Sequence, residues 1–182
     1  MLRRSLAVVC GMAIALAAGP LAALAALSAS TADLTFDAVA YSHAQQVSTG
    51  TLTLSARDTG TANLGLTNAG WNVTLLTSEF TYGGPSSGEP IPAANLAIVT
   101  AHPPTRVSGQ AISPTGGPRT TNVTGALNVA RKTLQADGPT ALLMYHGIGT
   151  YSQTIDVSLV VPGQTRAGTY TATLTVTISA GP

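Results

Sequence analysis

Few side chains in this 182-residue chain are equipped for chemistry, and their spacing limits what they can do. His43, His102 and His146 are the three histidines, and they stand far apart in sequence. Zinc ligands usually come at short paired spacings or beside cysteines, so no metal site is expected from them. The seven carboxylates form no recognisable calcium loop. Gly84-Pro-Ser86-Ser-Gly88 matches the G-x-S-x-G pattern of a nucleophile elbow. That motif needs a strand before it and a helix after it, and Glu89-Pro90-Ile91-Pro92 forbids the helix. A triad of His146, Asp156 and a serine has no support in the spacing. No catalytic residue and no cofactor is therefore expected. Binding chemistry remains. Trp71, the sole tryptophan, has a flat apolar ring that suits the C–H face of a pyranose; as a core residue it would pack with Val73 and Leu75, which share its face. Arg57 and Asp58 lie in the stretch before it. They offer polar contacts to a glycan or a peptide stem, or an ion pair that orders their own loop.

The elements that must position these residues read as strands. Period-two alternation dominates the chain. Tyr170, Ala172, Leu174, Val176 and Ile178 share one face of a segment whose other face is Thr169, Thr171, Thr173, Thr175 and Thr177. Before it, Ile155, Val157, Leu159 and Val161 alternate with Thr154, Asp156 and Ser158. Residues 162–168 between them form a loop that either closes a hairpin or crosses between two sheets. Shorter strands are expected at Leu34 and Phe36, at Leu52 to Ala56, at Trp71 to Leu75, at Leu96 and Ile98, and at Leu142 and Met144. Residues 123–134 are ambiguous between helix and strand, with Gly125 weakening the helix. Residues 83–92 and 103–118 are loops by composition. Seven to ten short strands of this kind predict an all-β fold, an antiparallel β-sandwich of immunoglobulin-like, Greek-key type in a single domain. Apolar faces pack together in such a fold, and Thr-rich faces meet water.

The N-terminus has a different character. Arg3 and Arg4 precede a mostly apolar run from Leu6 to Ala18, then Gly19-Pro20 and small residues. This is the layout of a secretory signal peptide. Residues 1–25 are read as that signal, with cleavage after Ala25 or as late as Ala32, and residues 26–182 as the domain. Cleavage removes Arg3, Arg4 and Cys10, the only cysteine, and leaves six basic and seven acidic residues, a net charge of −1. The mature chain then has neither a disulfide nor a membrane span. Charged residues make up 8% of the sequence, against about 25% in an average domain. Clustered Lys and Arg are lacking, which excludes nucleic acid. Asn72-Val-Thr74 and Asn122-Val-Thr124 are glycosylation sequons.

Five segments, in order, resemble the WxL domain of Gram-positive surface proteins. These are Leu34-Thr-Phe36, Ser55-Ala-Arg57-Asp58-Thr-Gly60, Gly70-Trp71-Asn-Val-Thr74, Ile91-Pro-Ala-Ala-Asn-Leu96, and Val161-Pro162 leading to the strand from Arg166 to Ile178. The chain departs from the family at both of its name-giving motifs. Trp71-Asn72-Val73 keeps the tryptophan and replaces the leucine, and Val176-Thr177-Ile178 has no tryptophan. The resemblance implies a non-enzymatic, secreted β-sandwich at the cell surface, held without a covalent tether to cell-wall polymer, with peptidoglycan as ligand, or to other surface proteins. Trp71, Arg57 and Asp58 are the ligand-binding candidates. The alternatives are a subunit of a surface assembly built by β-strand addition and a freely secreted carbohydrate- or protein-binding module.

Overall fold

A computed structural model describes residues 27–60, 69–139 and 146–182, together with the backbone of residues 8–12. Thirteen strands occur among them. In chain order these are β1 (Val8–Met12), β2 (Leu27–Thr31), β3 (Thr35–Phe36), β4 (Gln46–Asp58), β5 (Gly70–Thr77), β6 (Thr81–Tyr82), β7 (Leu96–Ala101), β8 (Thr105–Gly109), β9 (Arg119–Thr120), β10 (Gly125–Ala126), β11 (Arg131–Asp137), β12 (Gly149–Val161) and β13 (Tyr170–Ala180). A single 3₁₀ turn, Ala93–Asn95, is the helical element among the described residues. No helix there is long and apolar enough to cross a membrane.

The strands form two sheets packed face to face. The first runs β3-β1-β13-β5-β11-β9, with β6 also on β13; the second runs β10-β7-β12-β4-β2, with β8 also on β12. Pairing is antiparallel throughout except between β1 and β13. Alternation in the sequence becomes alternation in burial. Leu52, Leu54 and Ala56 of β4 and Ile155, Val157 and Leu159 of β12 point inward from the second sheet. They meet Trp71, Val73 and Leu75 of β5 and Tyr170, Ala172, Leu174 and Val176 of β13 in one core. Each large apolar side chain buried this way contributes about 1.5–3 kcal/mol. The fold is thus the expected all-β antiparallel sandwich.

Some local expectations change. Residues 162–168 carry the chain from β12 in one sheet to β13 in the other, so the crossing is realised rather than the hairpin. Residues 123–134 contain β10 and the start of β11, both strands. Residues 103–118, expected as loop, contain β8 on the margin of β12. All five of its residues are exposed, so no apolar alternation marks it. Leu142 and Met144 lie outside the described residues. Val8–Met12, read as part of a signal peptide, runs in the full-length chain between β3 and β13.

Candidate functional site

Trp71 belongs to the core. Its side chain is fully buried, and its ring lies 6.3 Å from that of Tyr151. The indole N–H donates to the Gly147 carbonyl at 3.1 Å. Gly147 has φ +81°, and a Cβ there would come within 2.7 Å of the Trp71 Nε1. A ring enclosed in this way has no face for a sugar, which corrects the stacking role considered for it. Val73 and Leu75, two and four residues on, already signalled the inward face.

Arg57 and Asp58 diverge because neighbours along a strand point to opposite faces. Arg57 is exposed on the outer face of the second sheet, between Ser28 of β2 and Thr150 of β12. Asp58 is buried, and its Oδ1 accepts the Gly60 N–H at 2.7 Å. The three sequence candidates therefore occupy three different places: the core, an outer face and a sheet end.

What the fold does assemble is a hydroxyl-rich outer face on the second sheet. The β4–β12 register places Thr49 beside Ser158, Thr51 beside Asp156, Thr53 beside Thr154, Ser55 beside Ser152 and Arg57 beside Thr150. Ser28 and Ser30 of β2 extend these rows on one side, and Thr100 of β7 on the other. Strand geometry sets the mesh, about 4.8 Å between rows and roughly 7 Å along them. Asp156 anchors a polar knot within the array. Its Oδ1 accepts from the Thr51 hydroxyl at 3.1 Å, and its Oδ2 lies 2.7 Å from His102 Nε2. The hydrogen bond from His102, then that from Thr51, holds the Asp156 carboxyl below its ordinary range. Single threonine positions carried no such signal in the sequence; the array exists only once β4 and β12 are set in register.

A second polar group sits at the end of the first sheet. Arg119 makes two parallel bonds to Asp137, at 2.6 and 2.8 Å. The Arg119 hydrogen bond lowers the Asp137 carboxyl, and the same bond raises the Arg119 guanidinium. His146 is buried close by, its ring against Gly116, where a Cβ would fall 2.1 Å from the ring. Its Nε2 has no hydrogen-bond partner among the described residues. Burial raises the Tyr151 hydroxyl, which reaches the Gln110 carbonyl at 2.8 Å.

Gly84-Pro-Ser86-Ser-Gly88 lies in the loop after the two-residue β6, and no helix starts from it as an elbow requires. Arg166 ties that loop down, donating to the Ser87 carbonyl at 2.6 Å. Among the described residues, no three His, Cys, Asp or Glu side chains are grouped to hold a metal ion. His43 stacks edge-on against Tyr41 at 5.3 Å.

The fold and its faces define the class, a β-sandwich with a hydroxyl-lined sheet. Comparison with protein-family models, curated proteins and solved structures returned no match to this chain.

Proposed function

We propose that this chain is a non-enzymatic, exported surface protein that associates non-covalently with cell-wall polymer through the outer face of its second sheet. The array from Thr49 to Arg57 on β4, and its partners on β12, is the observation that carries the reading. Neutral glycan chains present hydroxyls and amides at spacings of several ångströms, and rows of serine and threonine offer both donors and acceptors to them. Arg57, exposed at the end of the rows, adds a charge-assisted bond to a peptide-stem carboxylate. The Arg3–Ala18 layout and the five WxL-like segments support export and wall association. Trp71 has no part in the contact.

Co-sedimentation with insoluble peptidoglycan tests this. The wild-type chain is expected in the pellet, with its retention reduced in Thr53→Val/Thr154→Val and in Arg57→Ala. Both substitutions lie on the outer face and leave the core intact. Retention unchanged in both variants, or no retention of the wild type, overturns the reading.

A further inference from the structure

The segment Val8–Met12 occupies a lane of the first sheet, paired with Tyr170–Leu174 of β13 on one side and with Thr35 and Phe36 of β3 on the other. The same residues fall within the export signal. If residues 1–25 are removed, as the proposed export requires, β13 loses the strand along this stretch and β3 loses its partner strand. The opening is two inter-strand spacings wide, roughly 9.6 Å, enough for one strand.

Backbone geometry shows what that lane offers. Thr173 directs both its N–H and its carbonyl toward Ser78, on the β5–β6 side. Backbone groups of alternate residues point to opposite sides of a strand, so Ala172 and Leu174 direct theirs into the lane. Unpaired groups of this kind are a template for strand addition.

We propose that processing opens this lane to the N-terminal strand of a second copy, residues Leu27–Thr31, and that copies thereby join head to tail. Three observations favour that occupant. β2 has five residues, the length of the segment it replaces. Its alternate residues Leu27, Ala29 and Thr31 are half-buried, and none of its residues is fully buried. It also lies at the margin of the second sheet with one partner strand, β4, whereas the lane supplies two, β13 and β3. Folding β2 back into the lane of its own chain would need a tight turn at Ala32, Asp33 and Leu34. Leu34 is 4% exposed and packs in the core; donation to another copy leaves it in place. Each copy both gives and receives a strand through different surfaces, so the contact is heterologous and can link more than two copies. Before processing, Val8–Met12 caps the site.

The proposal rests on the export reading, and the experiment separates the two. The full chain is expressed in an exporting host, and the product's N-terminus is read by mass spectrometry. Its sedimenting mass is then followed against concentration, beside the unexported 1–182 chain. Processed chain is expected to form multimers that grow with concentration, and unprocessed chain to stay monomeric. Ala172→Pro, which removes a lane-facing N–H, should abolish the multimers. A peptide of residues 26–32, added to wild-type processed chain, should shorten them, which keeps the test independent of how the proline variant folds. Processed chain that stays monomeric overturns this inference alone, as do multimers indifferent to both the peptide and the proline. A product that retains residues 1–25 overturns the export reading and this inference with it.

Discussion

At the scale of single residues, the core closes directly over Trp71. The indole is held by the Gly147 carbonyl, and Gly147 sits at φ +81° against the ring. Gly147→Ala forces a methyl group to within 2.7 Å of Nε1 in a backbone conformation that L side chains resist. A loss of about 1–3 kcal/mol is expected, set by overpacking and backbone strain together. Urea denaturation followed by tryptophan emission measures it directly, because Trp71 is the only tryptophan. Equal midpoints in the two proteins would show that the ring has room to move. The sequence made the inward direction of Trp71 legible through Val73 and Leu75, but not the glycine that closes over it. That contact joins residues 76 positions apart.

At the scale of elements, alternation was enough to read β4, β5, β12 and β13, because each buries one face and wets the other. It was not enough for β8, which buries neither, or for the two-residue strands β9 and β10, too short to show a period. The face formed by β4 and β12 was half legible. Which threonines point outward follows from period two, but which ones sit side by side depends on pairing between residues about a hundred positions apart. On β12 one inward position breaks the apolar pattern. Gln153 of β12 is fully buried and donates to the carbonyls of His102 at 2.9 Å and of Thr133 at 3.1 Å, so it links the two sheets. Thr133 of β11 is fully buried as well, and its hydroxyl has no partner among the described residues. A buried, unbonded hydroxyl costs free energy that an isosteric methyl does not. Thr133→Val is therefore expected to stabilise the protein by about 1 kcal/mol, read as a higher urea midpoint at unchanged slope. A lower midpoint would mean that the hydroxyl is satisfied.

At the scale of the whole molecule, acid stability rests on few groups. The chain has seven carboxylates, and Asp137 and Asp156 are held below the ordinary range, chiefly by Arg119 and His102 respectively. A lowered folded-state value means that the unfolded chain takes up the proton first. The stabilisation is thus complete above the usual carboxylate value of about 4 and is lost as pH falls through the lowered folded values. Both pairs are partly exposed, so solvent and salt reduce their weight. Thermal unfolding between pH 6 and pH 2 should show a shallower acid decline in Asp137→Asn/Asp156→Asn than in the wild type. Parallel curves would assign the acid limb to other groups.

The crossing at residues 162–168 also has a consequence in time. β12 is the strand on which β4, β7 and β8 all pair, and β13 is the strand on which β1, β5 and β6 pair. Each of these two organising strands follows every strand that pairs with it. A chain emerging N-terminus first, from a ribosome or through an export channel, therefore makes the flanking strands of each sheet before the strand that joins them. The second sheet cannot close until β12, Gly149–Val161, has appeared, and the first cannot close until Tyr170 and the residues after it have followed, so both sheets are completed late and in that order.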